Sequence, residues 1–478
     1  MKQKLTIAGF LPLLMLLGAC AFFTPEPREH PEGSLPKSFS LYSTEPATPD
    51  QWWRNFNDTE LNTFVESALK ANMDIRQAWA KLKQANASAV KSGADKYPTL
   101  SGTGSYTHKR TRPESGGSAY NTETHKLGLT ASYELDLWGR INADTMADTL
   151  EANATREDMS ATAMTVASEV ASRWLEIKAQ RELEKLVRDQ IKTNETYLEL
   201  IELRFANSLS TALDVYQQRE AVASAKAKLP PILRKQQTLQ NQLNLLLGKP
   251  AGSKLDIARK PLPDMPAPPS AGLPADLLAK RPDVRAAGLR LHEADWSVAA
   301  ARADRLPSLS LTGNGQFNGT QLATLFDGWM YSLAASITAP IFDGGSRKAE
   351  VERTRAAAEE KLYAYRETVL TAVMEVENAM AGEKWQRKYV AALDAELNAA
   401  RNNFKEALAR YVAGLTEYLD VLSALTSVQD LEISLVENKL DLLEYRISLY
   451  DALGGDWMRA IPFDSTNNKP KTEKKKQG

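Results

Sequence analysis

Protein chemistry starts from nucleophiles, metal ligands and converging carboxylates, and this chain of 478 residues offers few of them. Its four histidines, His30, His108, His125 and His292, share no metal-ligand spacing. His292-Glu293 would open a zinc-protease helix only with a histidine at position 296, where Trp296 stands. There is no Gly-x-Ser-x-Gly elbow, no phosphate loop and no cysteine pair, so no enzyme, metal or cofactor is expected. Two kinds of reactive group remain. One is a single thiol, Cys20; the other is a pair of carboxylates, Asp214 and Asp420, which sit at the same place in a sequence that occurs twice.

The thiol has a telling context. Lys2 and Lys4 precede an apolar run from Leu5 to Leu17 that ends in Leu17-Gly18-Ala19-Cys20, the pattern of an export signal over residues 1–19. The run is too short to span a membrane, and Pro25, Pro27, Pro31 and Pro36 prevent its extension. An unpaired cysteine in an exported chain needs a purpose. Leu-Gly-Ala-Cys resembles the lipobox of bacterial lipoproteins, which makes Cys20 the expected lipidation site and residues 20–60 a lipidated, Pro-rich N-terminal segment.

The carboxylates belong to a duplication. Arg204 to Val215 returns as Arg410 to Val421, with Leu209, Leu213, Asp214 and Val215 all recurring 206 residues on as Leu415, Leu419, Asp420 and Val421. Leu247-Gly248 likewise returns as Leu453-Gly454, and Tyr97-Pro98-Thr99-Leu100-Ser101 as Leu306-Pro307-Ser308-Leu309-Ser310. A unit of this length is a whole architecture rather than a solenoid repeat. The first copy is placed at 61–250 and the second at 276–457, joined by a Pro-rich linker over 251–275.

Each copy changes period in the same order. A helix from Leu61 to about Asp95 precedes a hairpin over 98–138, in which Leu127, Leu129, Ala131, Tyr133 and Leu135 alternate with polar residues. The second hairpin, 306–341, alternates as Tyr331, Leu333, Ala335 and Ile337. Strands of this length cross a bilayer when tilted. Heptad spacing follows, as in Ala358, Leu362, Tyr365, Val369, Val373, Val376 and Met380. Ile141 to Phe205 and Lys348 to Tyr411 are free of proline, which predicts one long helix in each and two long helical hairpins, 140–248 and 345–454, turning at Asn207-Ser208 and Ala413-Gly414 with Ser210 and Thr416 as the following caps. The lysines from Lys469 to Lys476 belong to an expected disordered tail, 458–478, and a net charge of −1 implies no nucleic-acid partner.

Four strands cannot close a barrel, and an open sheet edge is not tolerated in lipid. Three copies would close twelve strands and ring the tip with twelve helices. The residues resemble the lipoprotein branch of the TolC family of outer-membrane efflux factors. Glu134-Leu135-Asp136-Leu137-Trp138-Gly139-Arg140, Lys280-Arg281-Pro282-Asp283-Val284-Arg285, Pro340-Ile341-Phe342-Asp343-Gly344-Gly345, Leu453-Gly454-Gly455-Asp456-Trp457 and Leu229-Pro230-Pro231 carry the resemblance from Cys20 to about Trp457.

The resemblance implies a mixed α/β membrane protein, internally duplicated. Its four strands per protomer would form a trimeric 12-stranded transmembrane β-barrel, continued by a long periplasmic α-helical barrel of coiled-coil type. It further implies a homotrimer in the outer membrane of a Gram-negative bacterium, in contact with outer-membrane lipid, a periplasmic adaptor and an inner-membrane pump. Its function would be that of the outer-membrane channel of a tripartite efflux pump or type I-like export system, a passive conduit from periplasm to exterior that opens on engagement by the adaptor and pump. The rival reading is a lipoprotein scaffold that never forms a pore. By resemblance, adaptor contact falls on Leu209, Ser210, Gly414, Leu415 and Thr416, the first tip lacking the second's glycine. The periplasmic gate falls on Asp214, Tyr411 and Asp420, with Tyr411 hydrogen-bonding toward the neighbouring hairpin and three Asp420 carboxylates favouring bound cations. Thr416 and Ser423 stand where the family's namesake carries a gate-linking arginine and a second aspartate, so fewer charged links are expected here.

Overall fold

The computed structural model describes residues 23–25, 35, 38–39, 51–114, 116–269, 272, 274–455 and 457–460. Cys20, the export signal and the tail from residue 461 on lie outside the described residues, whereas 458–460, expected to belong to the disordered tail, complete a 3-10 helix, Trp457–Ala460, that buries Met458 in the core. A short 3-10 helix, Trp52–Phe56, leads into α1 (Thr59–Ala71), α2 (Met73–Ala94), β1 (Thr99–Thr111) and β2 (Tyr120–Leu135). The first long hairpin follows as α3 (Arg140–Ala206) and α4 (Ala212–Leu246). The second copy runs α5 (Asp276–Lys280), α6 (Pro282–Ala303), β3 (Ser308–Gly319), β4 (Trp329–Thr338), α7 (Ser346–Val412) and α8 (Tyr418–Leu453). Among the described residues no helix is long and apolar enough to cross a membrane.

The chain forms two compact units. One holds residues 80–156 and 286–367 and contains the sheet. Its strands are antiparallel in the order β1-β2-β3-β4, leaving one edge of β1 and one of β4 unpaired. The register sorts the side chains by face. Gly102, Leu129, Gly315 and Tyr331 form one row, and Leu309 pairs with Ile337, so every large apolar residue of β2 to β4 except Tyr120 and Met330 shares a face. Ser101, Thr130, Asn314 and Ser332 form a row on the other, where hydroxyls and amides dominate. Leu333, Ile337 and Tyr331 are 84%, 74% and 71% exposed. An apolar face this open is built for lipid, and its polar reverse for water.

The other unit holds residues 32–79, 157–285 and 368–478. Its core is aromatic: Trp52 stacks on Tyr450 at 5.3 Å, Trp53 meets Trp457 edge-on at 4.7 Å, and Trp174 is fully buried. Trp52, Trp53 and Phe56, near the end of the segment 20–60, therefore complete this core.

The single helix expected from Leu61 to Asp95 is two helices. Asn72 breaks it with an extended backbone (ψ 137°), and its Oδ1 caps α2 by accepting from the Asp74 and Ile75 N–H groups at 2.8 and 3.2 Å. The Asn72 amide also donates to the Leu246 carbonyl at 3.1 Å, at the end of α4. The second copy repeats this device with different chemistry. Arg281 separates α5 from α6 and donates to the Ala452 carbonyl at 3.0 Å, near the end of α8. Gly248 and Gly454 sit at φ 67° and 73°, where a Cβ would lie 2.6 Å from the Ala71 carbonyl and 2.8 Å from that of Lys280. Each copy is thus closed by seating its last turn on its first helix break, a contact only glycine permits.

Pro230 and Pro231 lie inside α4 without ending it. The linker is tied down as well. Ile257 is in the core, the Ala258 N–H donates to Glu60 at 2.7 Å, and the Leu262 N–H donates to Glu182 at 3.2 Å. Arg446, with no exposed surface, pairs with buried Glu383 through two hydrogen bonds of 2.8 and 2.6 Å and donates to the Ala267 carbonyl at 2.6 Å.

Two residues earlier on α8, burial pushes the Glu444 carboxyl up to about 7, with Glu176 and Asp441 adding to the shift against Arg173 and Lys235. A carboxyl raised in the folded state is a destabilising group once ionised. Folded stability should fall as pH rises from the ordinary carboxylate value through about 7, then stay level. We expect Glu444→Gln to recover about 1–2 kcal/mol at pH 8, after discounting for solvent screening, and nothing near pH 4. Thermal dissociation of the purified protein across pH measures this, and a gain that persists unchanged at acid pH would rule the explanation out.

Candidate gate and docking tip

The tips of both helical hairpins lie in the second unit and share one backbone solution. α3 ends with Ser208 at φ 61°, and the Leu209 N–H returns to the Arg204 carbonyl at 2.8 Å. α7 ends with Gly414 at φ 73°, and the Leu415 N–H returns to the Arg410 carbonyl at 2.9 Å. These are left-handed helix terminations in the style that glycine favours, and serine accepts it at a modest cost in strain. Both turns leave their leucine out: Leu209 is 63% exposed and Leu415 70%.

The capping residues are one place later than the spacing suggests. Thr211, not Ser210, caps α4: its hydroxyl accepts from the Asp214 N–H at 3.2 Å while the Asp214 carboxylate accepts from the Thr211 N–H at 2.8 Å. Ser210 instead donates across the turn to the Ile201 carbonyl at 3.2 Å. In the second tip Glu417 is the capping position but contributes no side-chain bond, and the Thr416 hydroxyl donates to the Asp420 carboxylate. The chain takes one more extended residue out of the left-handed turn before the helix can start, which moves each cap forward.

Of the expected gate residues, Tyr411 is buried at the centre of the tip with Ile201, Val215, Tyr418 and Val421. The Arg204 guanidinium lies 4.8 Å from its ring centroid, so this residue touches the first hairpin through its face. Its hydroxyl has no hydrogen-bond partner within the chain, nor has the Nε of Arg204. Asp214 is half-buried in its capping box, and Asp420 is exposed. Burial pushes the Tyr418 hydroxyl up, with Tyr411, Tyr197 and Asp214 adding to it.

Behind the tip runs a buried polar ladder that the spacing analysis does not include. The Tyr418 hydroxyl donates to Gln218 at 2.7 Å, the Gln218 amide to the Asn194 carbonyl at 2.7 Å, and the Asn194 amide to Gln429 at 3.2 Å. Gln190 closes it on the Gln429 carbonyl at 3.0 Å. The ladder links α3, α4 and α8 across both hairpins. Its signal was present in the sequence: Gln190 and Asn194 occupy core positions of the Val187 to Ile201 heptads, where a polar residue fixes register at a cost in stability.

A sheet with one apolar and one hydroxyl-lined face, joined to two duplicated helical hairpins with matching tips, defines the class of outer-membrane export channels. The chain belongs to the outer membrane efflux protein family, whose model matches residues 64–249 and 273–455. It is 32% identical over 453 residues to the pyoverdine export outer membrane protein OpmQ of Pseudomonas aeruginosa, covering 93% of this chain and 95% of that one. The probable outer membrane lipoprotein SilC of Salmonella typhimurium is 26% identical, covering 93% and 97%. Among solved structures, the outer-membrane channel OprN matches with a TM-score of 0.81 at 26% identity, over 91% of this chain and 97% of that one.

The chain is therefore an outer-membrane efflux channel of a tripartite pump. It is trimeric, with four strands per protomer in a shared barrel and a helical barrel in the periplasm. Adaptor and pump partners follow from membership. The non-pore scaffold is set aside with this assignment.

Proposed function

We propose that the two tips are both the docking surface for the adaptor and the gate of the channel. Leu209, Ser210, Gly414, Leu415 and Thr416 meet the adaptor, while Asp214, Tyr411 and Asp420 hold the closed state. The observation that carries this reading is the repeated exposure of a leucine at the apex of both turns. A hydrophobe of this size gains nothing from water, and the left-handed turn does not require it. Two buried unpartnered groups, the Tyr411 hydroxyl and the Arg204 Nε, support the gate: they await a neighbouring protomer's tip or an ordered water. The test is Leu415→Asp, with Leu209→Asp beside it. Each is expected to weaken capture of the purified adaptor by about tenfold or more, while leaving the trimer intact on size exclusion, since both side chains are exposed. Unchanged capture by the pair would remove the tips from the docking surface.

Cys20 is the proposed lipid anchor. Cys20→Ser should abolish incorporation of labelled fatty acid in cells and lower the yield of membrane-inserted trimer, leaving the fold of what does insert unchanged. Continued labelling would place the lipid elsewhere.

A further inference from the structure

A cleft of about 450 Å³ opens in the sheet-containing unit, where the strands give way to helices. Arg302 at the end of α6 and Arg305 in the turn after it, Lys348 and Arg355 from the start of α7, and Phe23 from the N-terminal segment line it, with Glu352 as its one carboxylate. Phe23 seats against Ala143, Ala299 and Ala300, its ring 5.1 Å from the Arg302 guanidinium. The Lys348 ammonium is 4.0 Å from Glu352. Arg305, Lys348 and Arg355 are all exposed. Four cations against one carboxylate, in a chain whose net charge is −1, is a local excess that the fold itself does not require.

Its position says what it faces. Arg305 comes just before the Leu309–Ile337 pair that ends the apolar face of the sheet, and Ile341 and Phe342, between β4 and α7, are 97% and 92% exposed. The hydrocarbon therefore ends at this level, and the cations follow at headgroup depth. The helical side of the barrel is the periplasmic side, so the leaflet here is the inner one of the outer membrane. We propose that this cleft is a binding site for the headgroup of an anionic phospholipid, whose phosphate is received by Arg305, Lys348 and Arg355 while its acyl chains lie against the apolar sheet face beside Ile341 and Phe342.

The test is native mass spectrometry of the purified trimer titrated with phosphatidylglycerol or with phosphatidylcholine of the same chains, reading non-covalent adducts so that any covalent anchor stays in the protein mass. Phosphatidylglycerol should bind on the order of tenfold more tightly, saturating at one per protomer. Arg305→Gln with Arg355→Gln should erase that preference. Arg353→Gln with Arg366→Gln, which removes the same charge from α7 outside the cleft, should keep it. Equal binding of both lipids to the wild-type trimer, or a preference surviving the first pair, would overturn the site. Displacement of phosphatidylglycerol by millimolar inorganic phosphate would assign the cleft to free phosphate and overturn the lipid assignment.

Discussion

Arg446→Ala is expected to destabilise the protein by about 3 kcal/mol, because it leaves the buried Glu383 carboxylate with only the exposed Arg387, at 2.8 Å, as an ion-pair partner. The same change releases the Pro266 and Ala267 carbonyls, so the linker between the copies loses its anchor on α8. Removing both charges tells pairing from packing. Arg446→Met with Glu383→Leu should recover most of the loss, since an apolar pair of similar volume needs no counter-charge. Thermal dissociation of the detergent-solubilised trimer reads both. If the double variant is no better than Arg446→Ala, the linker bonds rather than the ion pair carry the stability.

Opening the tip should produce the second large effect. Tyr411→Phe combined with Asp214→Ala is expected to raise single-channel conductance several-fold in planar bilayers, and Asp420→Ala to remove block by divalent or trivalent cations added from the periplasmic side. The geometry supplies a control. Asp214 also closes a capping box, whose loss costs about 1 kcal/mol of local helix stability. Asp214→Asn keeps an acceptor for the Thr211 N–H and removes only the charge. Should Tyr411→Phe with Asp214→Asn conduct like wild type while the alanine version opens, fraying of α4 is the cause and Asp214 is a cap alone. If cation block survives Asp420→Ala, that carboxylate does not line the constriction.

The parts of the structure visible in the sequence are those governed by a period. Leu127 to Leu135 alternates strictly, and the register shows why it must: slipping one residue would turn Thr130 and Ser132 to the lipid. The two 67-residue helices were legible because neither stretch contains a proline. The rest is decided by single residues whose type is neutral. Asn72 is an acceptable helix residue until the Leu246 carbonyl offers it a partner. Ser210 and Thr211 are equal candidates as caps, and only the left-handed turn at Ser208 selects the second. Trp52 and Trp53 follow a Pro-rich stretch with no periodicity, so nothing local shows that Tyr450 and Trp457, some four hundred residues later, complete their core.

Duplication and threefold assembly together set a stoichiometry. Three protomers with two turns each present six apices to whatever approaches from the periplasm. Those six are alike in backbone but alternate in chemistry: serine against glycine at 208 and 414, a hydroxyl cap against an uncapped glutamate at 211 and 417. A ring of six identical partner subunits would therefore meet two kinds of seat in turn and hold three of its contacts more firmly than the other three.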